Sequence, residues 1–327
     1  MRRLFLSLPL CLLVLQAADA PDLKKKPTLY VVGYAHLDTE WNWDYTTTIG
    51  QYLKNTMLDN FALFEKYPHY IFNFTGANRY RMMKEYYPAD YAKVKHYVDS
   101  ARWYPAGSSM EEGDVNAPSA EAILRQILYG NKWFQREFSK SSAEYMLPDC
   151  FGFPASLPSI LAHAGIKGFS TQKLSANWQP APHVGGPNSP EQTPEGIPFN
   201  VGLWVGPDGK VVIAALNPLS YGSNVTYDLT KTPPPPPSVD PNAAAGRGGR
   251  GGRGGGRGGP QEDWPKRIQI DGEATGIYAD YHYVGTGDVG GSPQPDSVRV
   301  MEDIVTKSID APPHPRLNSH CLYQAAA

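Results

Sequence analysis

Between Leu29 and Thr171, short apolar runs alternate with longer stretches in which apolar residues recur every three or four positions. Runs of the first kind read as buried strands, and stretches of the second kind read as helices with one apolar face. The pattern predicts strands at 29–35, 70–75, 102–107, 143–148 and 168–171, separated by helices near 50–66, 77–100, 119–138 and 156–165. Strict alternation of the two kinds predicts an α/β fold built on a parallel sheet. In the third helix, Ile123, Ile127, Phe134 and Phe138 fall at helical spacing and form a core-facing stripe. Ser119 stands where an N-cap belongs, while Ala122, three residues on, rules out a capping box.

Past Gln179 the regularity breaks. Residues 179–197 are rich in proline and glycine and read as a surface loop, and the stretch from Phe199 to Leu216 reads as a β-hairpin turning at Pro207-Asp208-Gly209. Pro233 to Pro237 is a polyproline run, extended and stiff. It opens a Pro/Gly/Arg-rich insertion, 233–262, which has no apolar face to bury and is expected to be disordered and without catalytic role. The 311–327 end is irregular.

At the other end, Met1-Arg2-Arg3, the apolar run from Leu4 to Leu15 and the small residues Ala18-Asp19-Ala20 have the three regions of a secretory signal peptide, assigned to 1–20. The apolar run is too short to span a bilayer. The expected chain is therefore secreted or periplasmic, with no stable membrane anchor after cleavage. Of three cysteines, only Cys150 and Cys321 lie beyond the leader, too few for a disulfide framework, so a hydrophobic core must hold the fold. A net charge of -2 provides no basic field for nucleic acid. Arg247, Arg250, Arg253 and Arg257, set among glycines, are the one feature of an RGG-type nucleic-acid binder. That tract is short, lacks interleaved aromatic residues and interrupts an enzyme-like region, so no nucleic-acid partner is expected.

Candidate chemistry sits at strand ends. His36 and Asp38 follow the apolar run at Leu29, and residues two apart on an extended chain share a face, so they can offer an imidazole nitrogen and a carboxylate oxygen to one cation. Taken alone, the pair serves equally as a surface feature. Asp149 ends the strand expected at 143–148, where it is either a reactive carboxylate or the N-cap of the helix starting near Ser156. Asp288 lies among glycines, as in a tight turn.

Several blocks in order resemble glycoside hydrolase family 38, the α-mannosidases. Gly33 to Trp43 is similar to the family's first metal motif, and Leu147-Pro-Asp-Cys-Phe-Gly-Phe-Pro-Ala-Ser-Leu-Pro158 to its nucleophile motif. Arg102-Trp-Tyr-Pro-Ala-Gly, Met110-Glu-Glu-Gly-Asp-Val-Asn, Gly168-Phe-Ser-Thr-Gln-Lys-Leu, Leu203-Trp-Val-Gly-Pro-Asp-Gly and Tyr283-Val-Gly-Thr-Gly-Asp-Val-Gly-Gly-Ser-Pro continue the resemblance, which covers roughly residues 28 to 300. Tyr34 departs from it, standing where many members carry a histidine that is not a ligand.

The resemblance implies a parallel β/α barrel-like catalytic domain over 28–310, incomplete at its C-terminus. It also implies a retaining, zinc-dependent glycosidase acting on terminal α-mannosyl residues of a mannose-containing glycan. By the same carry-over His36, Asp38 and Asp149 are the metal ligands, Asp149 is also the nucleophile and Asp288 the acid/base. Trp41 stacks on the sugar, with Phe151 packed nearby. A further metal histidine and large β domains of the family have no counterpart here, so a fragment with weak zinc binding and little activity is expected. His314 and His320 do not match the missing ligand motif, and His69, His96, His163, His183 and His282 read as surface or packing residues. A metal-dependent carbohydrate deacetylase-like hydrolase would also place Asp and His at strand ends, with metal-bound water as nucleophile.

Overall fold

The computed structural model of the chain describes residues 22–174, 200–216, 223–233 and 263–310. The expected leader, the 179–197 loop, residues 234–262 and the 311–327 end lie outside them. Strand and helix alternate much as the periodicity predicts. The first half runs β1 (Thr28–Ala35), α1 (Tyr45–Thr47), α2 (Lys54–Lys66), β2 (Phe72–Thr75), α3 (Ala77–Tyr86), α4 (Pro88–Asp99), β3 (Trp103–Ala106) and α5 (Ala120–Phe138). The second runs β4 (Glu144–Met146), α6 (Leu157–His163), β5 (Gly168–Thr171), β6 (Val201–Val205), β7 (Val211–Leu216), α7 (Trp264–Thr275), β8 (Ala279–Thr286) and α8 (Pro295–Asp310).

The strands form two four-stranded sheets, ordered β3-β2-β1-β8 and β4-β5-β7-β6. Every ladder is parallel except the β6–β7 hairpin, whose turn covers the predicted Pro207-Asp208-Gly209. β1 runs beside β8 in unbroken register from Thr28↔Ala279 to Ala35↔Thr286, and β2 lies on its other side through Tyr34↔Asn73. β3 also packs near β4, and β8 near β6 and β7, so the sheets adjoin at both margins, although their hydrogen-bonded ladders stay separate.

Two helix boundaries differ from the periodicity. The stretch expected as one helix over 77–100 is two, because Tyr87 leaves the helical region at φ −133°, ψ 57° and Pro88 starts the next helix. A residue before proline is pushed out of the α region, and proline is tolerated at a helix start. The first helix begins earlier than residue 50: the Asp44 side chain accepts from Thr47 N–H at 2.8 Å, capping α1, and a π-helical turn, Thr48–Leu53, leads into α2.

Ser119 caps α5 through Ala122 N–H at 3.3 Å, and Ile123, Ile127, Phe134 and Phe138 are buried along it. Their partners differ along the helix. Phe134 and Phe138 join Phe72, Phe74, Tyr80 and Trp103 in an aromatic core outside the first sheet. Ile123 and Ile127 join Tyr145, Leu157, Leu161 and Phe169 over the second. A third cluster, Val32, Tyr34, Met146, Tyr281 and Tyr283, joins the two sheets. Since Val32 and Tyr34 are two apart on β1, the next position on that face is His36, which carries the alternation out of the apolar interior into the site.

Candidate active site

The ends of β1 and β8 remain tied beyond their last ladder pairs. His36 N–H donates to Thr286 C=O at 3.0 Å, Asp38 N–H to Asp288 C=O at 2.8 Å, and Gly290 N–H to His36 C=O at 2.9 Å. An antiparallel bridge joins Leu37 to Val289. To make these contacts the second strand turns through the left-handed region at Asp288 (φ 65°), which aspartate tolerates better than most side chains, and at Gly290 (φ 66°). Asp288 is therefore both a turn residue and a neighbour of the His36–Asp38 pair.

His36 Nε2 lies 3.2 Å from Asp38 Oδ1 and 3.7 Å from Asp149 Oδ2. One ligand atom each from His36, Asp38 and Asp288 lie within 4.8 Å of one another. Three separate stretches of chain, after β1, after β4 and after β8, thus bring carboxylates to His36, with Asp149 outside the group formed by His36, Asp38 and Asp288. Asp149 does not cap α6: the N-cap position there is Ser156, without a side-chain cap hydrogen bond. Its other oxygen, Oδ1, pairs with Lys173 Nζ at 2.7 Å, and the same ammonium lies 4.9 Å from the Phe151 ring centre.

Behind the imidazole stands Glu112, itself buried, with Oε2 2.8 Å from His36 Nδ1. Burial opposes charge on both groups, but Glu112 and Asp38 overcome it and lift the His36 imidazole to about 10. The same burial would raise the Glu112 carboxyl, yet Arg79 and His36 hold it down at about 2. At neutral pH an imidazole so raised carries a proton on both nitrogens; a cation would displace the one on Nε2, and the proton kept on Nδ1 by the ionised carboxylate then leaves the Nε2 lone pair facing Asp38 and Asp149. One imidazole nitrogen and nearby carboxylate oxygens are a donor set that suits a divalent cation such as zinc. The residues fit such an ion.

The rim is aromatic. Trp41 and Phe151 are 63% and 66% exposed, which places two large apolar faces in solvent beside the polar cluster. Trp41 meets Trp43 edge-on at 5.8 Å, and Trp43 Nε1 donates to the Asp38 carbonyl at 3.3 Å. Phe151 stands out from the core, while its neighbour Cys150 is buried in packing. Of the scattered histidines, His69 pairs with Glu302 at 2.7 Å, His163 with Asp208 at 2.8 Å, and His282 is buried against Trp264.

Glu112, Arg79 and Lys173 were not singled out by sequence reasoning. The only available signal was that Glu112 and Lys173 fall within blocks that carry the family resemblance.

Residues 26–235 match the glycosyl hydrolases family 38 N-terminal domain. The chain is 34% identical over 196 residues to alpha-mannosidase 2C1 of Homo sapiens, covering 60% of this chain and 17% of that protein. It is 33% identical over 190 residues to alpha-mannosidase G of Dictyostelium discoideum, covering 58% and 16%. Among solved structures, an alpha-mannosidase from Enterococcus faecalis matches with a TM-score of 0.58 at 16% identity, over 88% of this chain and 27% of that one. At that identity the likeness concerns the fold. The matched region amounts to 16–17% of the length of the two relatives named.

Proposed function

The chain belongs to glycosyl hydrolase family 38, whose N-terminal domain it matches over residues 26–235, and from that membership we propose that it is a retaining, zinc-dependent α-mannosidase. The substrate is a terminal α-mannosyl residue of a mannose-containing glycan. The observation that carries this reading is the meeting of His36, Asp38, Asp149 and Asp288 at the ends of β1, β4 and β8. Ligands to a cation and a pair of carboxylates in one mouth are what such a reaction requires.

His36, Asp38 and Asp149 would hold the ion, which when bound positions sugar hydroxyls and offsets negative charge. Asp149 attacks the anomeric carbon as the glycosidic bond breaks. Asp288 gives its proton to the departing oxygen, then takes one from the water that releases mannose from Asp149. Lys173 holds Asp149 Oδ1, and Trp41 and Phe151 provide apolar faces for the sugar ring. In this reading the two adjoining sheets act as a barrel-like frame whose strand ends form the mouth, and the chain is exported by its leader.

The assay is hydrolysis of an aryl α-mannoside by the mature chain with zinc, beside an Asp149→Asn control. Turnover that vanishes in the control supports the reading, and trapping a mannosyl adduct on Asp149 separates it from a deacetylase-like reaction that uses metal-bound water. Rates equal to the control defeat it for this chain, and are the outcome a fragment would give.

The grouping of Asp288 with His36 and Asp38 favours a second reading, in which Asp288 is a metal ligand and not the acid/base. Asp288→Asn separates the two. Loss of zinc affinity marks a ligand. Activity retained on substrates with acidic phenol leaving groups, but lost on poor ones, marks a proton donor.

A further inference from the structure

Glu112 lies in the loop between β3 and α5, with only 4% of its side chain exposed. Its Oε1 accepts from Tyr34 OH at 2.8 Å, from Arg79 Nη1 at 2.8 Å, and from the Thr75 hydroxyl. Its Oε2 faces His36 Nδ1. One oxygen is thus anchored by three donors from β1, β2 and α3, and the other is presented to the imidazole.

Arg79, 2% exposed, connects this anchor to the ligand loop. Its Nη1 donates to Thr75 C=O at 3.0 Å as well as to Glu112, and its Nη2 donates to the carbonyl of Leu37, the residue between His36 and Asp38. A single guanidinium therefore holds both the carboxylate behind the histidine and the backbone that sets the spacing of histidine and aspartate. An Arg–Glu pair kept only for stability would need neither the Nδ1 contact nor the Leu37 contact.

We propose that Glu112, held by Arg79, is a positioning residue that fixes His36 as the tautomer protonated on Nδ1 and thereby keeps Nε2 directed at the cation. The proposal rests on the metal reading given above. A neutral imidazole has one donating and one accepting nitrogen, and an ionised carboxylate only accepts, so the proton on Nδ1 is locked there and cannot compete for the metal position. His36 is buried, so water cannot readily replace Glu112 as the partner of Nδ1.

The test uses the full mature chain and zinc ion alone. Zinc affinity is measured by competition with a chromophoric chelator for wild type, Glu112→Gln and Glu112→Asp, each checked for a native circular dichroism spectrum. Glu112→Asp keeps a charge for Arg79 and retracts the carboxylate from His36, so it covers the case in which Glu112→Gln does not fold. The expected loss is about 10- to 100-fold in zinc affinity. Nitrogen-15 spectra of the zinc-loaded wild type, which need no variant, should show His36 protonated on Nδ1 and bound through Nε2. Affinity within about twofold of wild type in a folded variant, or the opposite tautomer in wild type, overturns the proposal while leaving the metal site standing. If wild type takes up no zinc, the metal reading falls and this proposal falls with it.

Discussion

Lys173 Nζ lies 2.7 Å from Asp149 Oδ1, while Asp149 Oδ2 lies 3.7 Å from His36 Nε2, so the two oxygens of one carboxylate face a lysine and an imidazole. The lysine comes from just past β5 and the aspartate from just past β4, strands that run parallel with Met146 opposite Ser170. Sheet register therefore sets the orientation of the proposed nucleophile. Replacing Lys173 by Met keeps the apolar stem beside Phe151 but removes the hydrogen bond. The expected result is a fall of about 100-fold in kcat/KM, the scale of a misplacement near 1 Å, with zinc affinity reduced far less. Parallel losses of the two would place Lys173 in metal binding instead.

Zinc should stabilise the fold, because the residues that gather around His36 Nε2 come from distant parts of the chain and are not together when it unfolds. At about 100 times its dissociation constant, the ion should add about 2.7 kcal/mol. Thermal unfolding with and without zinc measures the increment. Asp38→Asn should remove most of it, whereas Asp228→Asn, a change to a half-buried carboxylate on another loop, should leave it unchanged.

Gly285 governs how closely the two strands that carry His36 and Asp288 approach. It stands opposite Tyr34 in the parallel register, and a Cβ built there would run into the Tyr34 carbonyl. Gly285→Ala must push β1 and β8 apart, at a cost of about 3 kcal/mol by the scale of overpacked cores. The displaced end would pull on the backbone of His36 and Asp38, which is hydrogen-bonded to Thr286, Asp288 and Gly290, so zinc affinity should fall together with melting temperature. A variant as stable and as tight-binding as wild type would show that the strands separate without moving the site.

The parts that could be read in the sequence were those where local chemistry and tertiary setting agree. The apolar run of β1 and the two-residue step from His36 to Asp38 place both side chains before any contact is known. Ser119 marks a helix start by a cap that spans only three residues. β8 was not recognisable as a strand, because it is buried on both faces yet carries Asp280 and His282, which interrupt the apolar alternation. Those polar residues are accommodated by Arg267, Ser223 and Trp264, partners supplied by other segments. Glu112 was hidden for the same reason: it is 76 positions from the histidine it faces, in a loop with no periodicity to place it.

The cluster under β8 gives the chain a pH dependence separate from the active site. Asp271 is fully buried, accepts Asn200 N–H at 3.2 Å through one oxygen, and has its other oxygen without a hydrogen-bond partner among the described residues. Burial and the neighbouring Asp280 carboxylate lift its carboxyl to about 7, against the opposing effect of Arg267. His282 stays neutral beside them, driven down to about 3 by burial and by Arg267. Folded protein thus keeps a proton on Asp271 that the unfolded chain releases near 3.8. Between about pH 4 and pH 7 the folded state binds the extra proton, so stability falls as pH rises, by at most about 1.4 kcal/mol per pH unit for one proton. Above pH 7 both states have lost it and the slope from this group ends. Asp271→Asn preserves the acceptor for Asn200 and removes the charge. Its denaturant midpoint should exceed that of wild type at pH 8, and the gap should narrow steadily as the pH is lowered to 5. A constant gap across that range would mean that Asp271 is ionised in the folded protein throughout.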